Sequence, residues 1–160
     1  MSKNINPIVR GPSDGEMIYV GGALYRFLAV KDETDGKYGL WEAIVPPGGG
    51  TPPHLHRNEE EGFYIVSGTV TVYGEGLEVE TSAGSFVHLP ANSTHWFRNN
   101  SAQNAKMIVV VAPGGMEAMF KETGRLATDP TAPIPPIDEE EIQKLLSIAP
   151  KYGIEISVPS

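Results

Sequence analysis

The chain has 160 residues, with 12 Lys and Arg against 20 Asp and Glu, a formal net charge of −8 and no cysteine. This length suits one domain over residues 1–160 with a sizeable core, and the acidic balance disfavours nucleic acid and membrane surfaces as partners. The lack of cysteine excludes disulfides, thiolate metal sites and a cysteine nucleophile. We therefore expect a small-molecule partner, and any metal would be held by histidine and carboxylate.

The chain shows no targeting signal or membrane span in its sequence. Its longest apolar run, Met107–Ala112, is far shorter than the roughly 20 residues that cross a bilayer, and its first residues lack the apolar core of a signal peptide. We expect a cytoplasmic protein.

From residue 17 to about residue 113, short β-branched or aromatic runs alternate with Gly, Pro, Asn and Asp. The runs predict strands at Leu24–Val30, Leu40–Val45, Gly62–Val66, Thr69–Tyr73, Leu77–Thr81, Ser85–Leu89, His95–Arg98 and Met107–Ala112. Turn signals at Asp35-Gly36, Gly74–Gly76 and Ala83-Gly84 predict hairpins. An all-β sandwich, jelly roll or barrel is expected.

The pattern changes in the C-terminal extension, residues 114–160. Gly114–Gly124 predicts a short helix, and Asp129–Ile137 is a linker with four prolines. A second helix is predicted to begin at Asp138, with Glu141 completing a capping-box-like start, and to end at Pro150. Its apolar stripe consists of Ile142, Leu145, Leu146 and Ala149. Because this stripe needs a partner surface, we expect the extension to be a docked cover or a dimer contact rather than a second domain.

All four histidines lie between residues 54 and 95. His54 and His56 point to the same face if the segment is extended, and a closed β structure could bring His95 to the same point. Three neutral imidazoles and the carboxylate of Glu61 suit one divalent transition metal ion (Fe, Ni, Mn, Cu, Co or Zn) with open coordination positions. A lone His-x-His is more often ordinary strand sequence, so the surrounding pattern decides the interpretation.

Two spaced motifs surround these histidines. The first is Gly48-x5-His54-x-His56-x4-Glu61-x6-Gly68, and the second is Gly84-x5-Pro90-Ala91-Asn92-x2-His95-x3-Asn99. In this order they closely resemble the two motifs of the cupin superfamily. The family pattern has Gly where Asn92 stands; Asn is the residue next best able to adopt a positive φ, so we expect the turn to survive.

The resemblance implies a double-stranded β-helix, the cupin jelly-roll barrel, over about Leu24–Pro113, with short C-terminal helices outside it. It also implies a choice among the adjacent residues Glu59, Glu60 and Glu61, which composition cannot distinguish. Glu61 fits both motif distances and Glu60 is the fallback. The implied metal ligands are His54, His56, Glu61 and His95. His88 is left over and is expected to be packed or on the surface.

Residues 53–70, PHLHRNEEEGFYIVSGTV, resemble small single-domain quercetinase-like cupins, and parts of the extension are also similar to that group. This resemblance implies a dioxygenase that opens the heterocycle of a flavonol with loss of carbon monoxide, with Glu61 as the group that accepts the substrate's proton. It also implies a homodimer, because cupins commonly pair through their sheets.

An aromatic substrate would need an apolar wall. Phe97, two residues beyond His95, is expected to face inward with it. Further candidates, for each of which core packing is the simpler interpretation, are Phe63, Ile65, Tyr25, Phe27, Trp41, Met107 and Val109. Two other functions stay open: a non-catalytic module that binds a small ligand or metal, and a metal cupin isomerase or hydrolase that does not use O₂.

Overall fold

The structure is a computed structural model that describes residues 5–157. In chain order its elements are β1 (Met17–Val20), β2 (Ala23–Ala29), α1 (Lys31–Thr34), β3 (Gly39–Val45), β4 (His54–His56), β5 (Glu60–Ser67), β6 (Thr69–Gly74), β7 (Leu77–Ser82), β8 (Phe86–Leu89), β9 (His95–Arg98), β10 (Ala105–Ala112), α2 (Met116–Thr123), β11 (Arg125–Leu126), α3 (Glu139–Ile148), a 3₁₀-helix (Ala149–Tyr152) and β12 (Ile154–Ile156). Within residues 5–157, no helix is long and apolar enough to cross a bilayer.

The strands form two antiparallel sheets. The larger has the order β11-β1-β2-β3-β10-β5-β8, and the smaller has the order β12-β4-β9-β6-β7. Apolar residues alternate along the strands, as on β3, where Trp41, Ala43 and Val45 are buried and the residues between them are half-buried. Burial of these inward faces, at about 25 cal/mol per Å² of apolar surface, provides the main stabilisation of the two-layer core.

All eight predicted strands are present, with bounds shifted by at most two residues. The expected hairpin at Ala83-Gly84 is wrong: β7 pairs with β6 in the smaller sheet, whereas β8 pairs with β5 in the larger one. The chain therefore crosses between layers at this turn, a connection that local turn chemistry does not distinguish from a hairpin. The expectation for Asn92 is confirmed, because its φ is 66°.

The C-terminal extension docks on the barrel. β12 pairs antiparallel with β4, with Ile154 opposite His56 and Ile156 opposite His54. The ring of Phe120 on α2 lies edge-on against the rings of Tyr25 and Trp41, with centroids 5.0 and 5.1 Å away. Sequence analysis missed β12, because a three-residue strand has too few residues to show a period.

Helix α3 is held at its N-terminus by two carboxylates. The Asp138 side chain accepts a hydrogen bond from the Glu141 backbone N–H at 2.9 Å, as the predicted cap requires. The Glu141 side chain does not complete the capping box. It is buried and accepts a hydrogen bond from the Gly21 N–H, between β1 and β2, at 2.6 Å. The glutamate expected to cap its own helix therefore joins that helix to the barrel.

Candidate metal centre

Three strands bring the predicted ligands together. His54 and His56 lie at the two ends of β4, and His95 begins β9, where it pairs directly with His54. Glu61 projects from β5 of the other sheet. One ligand atom from each of these residues lies within 4.8 Å of the others. Both sheets thus contribute to one cluster, which is why residues 41 positions apart in the chain meet.

The three imidazoles share one orientation. His54 Nδ1 lies 2.9 Å from the Pro52 carbonyl oxygen, and His95 Nδ1 lies 3.0 Å from the Ser93 carbonyl oxygen. These carbonyls are acceptors, so each Nδ1 carries the proton and each Nε2 presents its lone pair. The His56 ring also turns its Nε2 toward the cluster, where this atom lies 2.8 Å from Glu61 Oε2.

The unpartnered atoms of the cluster fit a metal ion. The Nε2 atoms of His56 and His95 are buried and have no hydrogen-bond partner of acceptable geometry among the described residues. Buried polar groups without partners are rare unless an ion or ligand satisfies them. Three imidazole nitrogens and a carboxylate oxygen are a donor set that divalent transition metals accept, and they leave coordination positions open.

The electrostatics of the cluster are asymmetric. Burial lowers the pKa of His54 to about 4 and also lowers the pKa of His95, so both rings are neutral at pH 7, the form that binds metals. Burial acts to lower the pKa of His56 too, but Glu59 and Glu61 outweigh it and raise that pKa to about 9. For Glu61, burial opposes ionisation, yet the adjacent His56 prevails and the pKa lies below its ordinary value.

The three consecutive glutamates lie in three different environments. Glu61 is buried in the cluster, and Glu60 is exposed and pairs with His88 at 3.2 Å on the outside of the barrel. Glu59 is buried beside His56, 3.5 Å from its Nδ1. The fallback to Glu60 is therefore wrong in geometry, because alternation along β5 turns neighbouring side chains to opposite faces. His88 is a surface residue.

An apolar cavity of about 600 Å³ adjoins the cluster, with His54, His56 and Glu61 in its wall. Its volume lies in the range of small-molecule sites. Predicted wall residues that line it are Tyr25, Trp41, Phe63, Phe97, Met107 and Val109. Phe27 and Ile65 were also candidates, but they are buried in the core and do not line this cavity. The period of a strand predicts which residues face inward but not how far along the barrel the space extends.

The C-terminal extension forms another part of the cavity wall. Its contributing side chains are Met116, Met119 and Phe120 of α2, Ile142, Leu145 and Leu146 of α3, and Ile154 and Ile156 of β12. Three of the four residues of the predicted apolar stripe, Ile142, Leu145 and Leu146, thus line the cavity, whereas Ala149 follows the end of α3 and is buried elsewhere. That the extension is a docked cover stays a prediction. Sequence analysis did not place these residues at the site, although the stripe itself was the signal that something had to be covered.

Comparison with known proteins agrees with this geometry. Residues 41–111 match the Cupin domain family. The chain is 32% identical over 118 residues to quercetin 2,3-dioxygenase of Bacillus subtilis (strain 168), an alignment that covers 74% of this chain and 35% of that protein. It is 26% identical over 126 residues to auxin-binding protein 1 of Arabidopsis thaliana, covering 66% of this chain and 59% of that one. The chain thus spans about one third to three fifths of the length of these curated relatives.

Solved structures share the fold. A predicted oxalate decarboxylase from Thermotoga maritima superposes with a TM-score of 0.61 at 19% identity, covering 67% of this chain and 99% of that one. An RmlC-like cupin from Shewanella frigidimarina gives a TM-score of 0.60 at 16% identity, covering 73% and 99%. The chain therefore has the cupin double-stranded β-helix fold.

Proposed function

We propose that this protein is a metal-dependent cupin oxygenase, a quercetinase-like dioxygenase that acts on a flavonol or another small aromatic or enolisable molecule. The observation that carries the proposal is the position of the His54, His56, Glu61 and His95 cluster beside an apolar cavity of about 600 Å³. Similarity to the Bacillus subtilis quercetin 2,3-dioxygenase over 74% of this chain supports the same activity.

The cavity wall favours an aromatic ligand with oxygen substituents. Phe63 and Phe97 lie edge to face with ring centroids 5.4 Å apart, and both line the cavity. Trp41 also lines it. Aromatic rings in a wall favour a ligand that packs an aromatic ring against them. We therefore propose an aromatic substrate with an oxygen at the metal centre.

Glu61 is the proposed proton acceptor. Its lowered pKa keeps the carboxylate ionised at neutral pH, and it faces both the three imidazoles and the cavity. A bound divalent ion would supply a Lewis acid that lowers the pKa of a substrate hydroxyl. Glu61 then accepts that proton at a carboxylate oxygen, while the apolar wall orients the ring and excludes water.

Metal analysis followed by oxygen-uptake assays tests the proposal. Purified protein is expected to contain one divalent transition metal ion per chain and to consume O₂ with flavonols, other catechols or 1,3-diketones. His56→Ala is the inactive control, because it removes a ligand nitrogen. Metal-loaded protein that consumes no O₂ with any of these compounds would contradict the oxygenase function. The isomerase, hydrolase and binding-module functions would then remain as alternatives.

We also propose that the protein is a homodimer. Tyr64 on β5 and Phe86 on β8 are paired across the strands on the outer face of the larger sheet, and they are 48% and 64% exposed. Val66 on the same strand as Tyr64 is also exposed. Large exposed apolar side chains that cluster on one face are typical of an interaction surface. Light scattering should give a dimer for the wild type and a monomer for Phe86→Glu; a monomeric wild type would contradict the proposal.

A further inference from the structure

One of the three imidazoles differs from the others in what lies beside its Nδ1 atom. Backbone carbonyl oxygens lie beside Nδ1 of His54 and His95. Beside Nδ1 of His56 there is instead a carboxylate oxygen, Oε2 of Glu59, at 3.5 Å. A neutral acceptor is thus replaced by an anionic one at a single position of the cluster.

Glu59 and His56 present candidate partners to each other at these atoms. Both residues are buried, with 8% and 4% of their surfaces exposed. Glu59 Oε2 and His56 Nδ1 both lack a hydrogen-bond partner among residues 5–157. A buried carboxylate oxygen without a donor is costly, and so is a buried imidazole N–H without an acceptor. A closer approach of a few tenths of an ångström would satisfy both.

Glu59 is not itself placed to be a ligand. The four residues whose ligand atoms lie within 4.8 Å of one another do not include it. It lies on the far side of the His56 ring from Glu61, because Nδ1 faces Glu59 and Nε2 faces Glu61. The ring therefore separates the buried carboxylate from the proposed metal position.

We propose that Glu59 is a positioning residue that accepts the Nδ1–H of His56 and thereby strengthens that imidazole as a metal ligand. The hydrogen bond holds the tautomer whose Nε2 lone pair faces the cluster, and the negative charge raises the basicity of the ring. His56 becomes the strongest nitrogen donor of the three. This inference rests on the proposed metal site but not on the proposed reaction.

Cobalt binding to the full chain tests the inference. Wild-type protein freed of metal is titrated with Co²⁺ in competition with a chelator, and the Co²⁺ absorption spectrum is recorded. Glu59→Gln, which keeps the size but removes the charge, is expected to weaken Co²⁺ binding about 10- to 100-fold and to shift the absorption bands. Glu59→Asp keeps the charge at a greater distance, and its affinity for Co²⁺ is expected to lie between those of Glu59→Gln and the wild type.

The matched control is Glu60→Gln, which changes the adjacent, exposed glutamate and is expected to leave affinity and spectrum at wild-type values. Equal affinity and identical spectra for wild type, Glu59→Asp and Glu59→Gln would overturn the inference. If Glu59→Gln fails to fold, Glu59→Asp is compared with the wild type instead. Weaker Co²⁺ binding and shifted bands would support the inference, and equal affinity with an identical spectrum would overturn it. A wild type that does not bind Co²⁺ would instead contradict the metal site itself, so the two failures are distinguishable.

Discussion

The barrel and the C-terminal extension contribute different things to the same cavity. The barrel provides all four residues of the metal cluster, and most of its inward side chains are buried. The extension provides none of that cluster, and its cavity-facing residues on α3 are only half-buried. The proposed metal site and the closure of the cavity therefore rest on separate parts of the chain, and variants should perturb one without the other.

Several contacts attach the extension to the barrel. They include the three-residue pairing of β12 with β4, the pairing of β11 with β1, the hydrogen bond from Gly21 to Glu141, and the contact of Phe120 with Tyr25 and Trp41. The first of these joins the extension to the strand that holds two of the proposed ligands. It is thus the contact through which the two regions are most directly coupled.

The largest effect is expected from loss of a ligand in the barrel. His56→Ala removes the imidazole between Glu59 and Glu61 and should abolish metal retention, measured as metal per chain in purified protein. His88→Ala, on the outside of the barrel, is the control and should retain the wild-type metal content. Full metal content in folded His56→Ala protein would show that the cluster is not the binding site.

The second largest effect is expected from removing the proposed proton acceptor while leaving the barrel folded. Glu61→Gln preserves the size of the side chain but removes its basicity, so turnover should fall about 10²- to 10⁴-fold. Steady-state oxygen uptake measures the rate, and metal content is determined on the same sample. A variant with undiminished turnover and wild-type metal would eliminate Glu61 as the proton acceptor.

Deleting most of the C-terminal extension tests directly whether metal binding and closure of the cavity depend on different regions. Deletion from Thr128 onward removes α3 and β12, exposes the apolar cavity and should lower the melting temperature. Because all four proposed ligands remain, the truncated protein should still bind metal while its KM for an aromatic substrate rises. Unaltered stability, assembly and activity would show that the extension is a passive appendage, and loss of metal would show that the regions are not separable.

The smallest effect is expected at a single attachment point. Glu141→Ala leaves the Gly21 N–H without its acceptor and should lower the free energy of unfolding by about 1–3 kcal/mol. Glu140→Ala is the matched control on the same helix, since Glu140 is exposed and pairs with Lys144 at 3.1 Å, and it should cost about 0.5 kcal/mol or less. Denaturant midpoints measure both. Equal midpoints for the two variants would contradict the role of Glu141 as a tether.

Sequence reasoning reached the strands and the ligand set because both have short-range signatures. Alternating β-branched residues predicted eight of the twelve strands in the described residues, and paired motif spacing pointed to the four clustered residues. Sequence reasoning failed where a structural feature depends on contacts between distant segments. The capping box at Asp138 is an example. The Asp138 side chain accepts the predicted hydrogen bond from the Glu141 N–H, but the Glu141 side chain accepts from Gly21, in a turn 120 residues away.

The three consecutive glutamates, Glu59, Glu60 and Glu61, show what the sequence alone can predict and what depends on the tertiary structure. By itself the sequence determined that this segment carries carboxylates at ligand spacing from His56, since spacing and residue type are local properties. Only the tertiary structure decided that Glu61 faces the metal cluster, that Glu60 faces solvent and His88, and that Glu59 lies buried beside His56. The physical reason is that burial depends on strand register and on the sheet packed opposite. The cavity also depends on the tertiary structure, because its wall includes residues of α3 and β12. These elements reach the site only after the chain has folded back across the barrel.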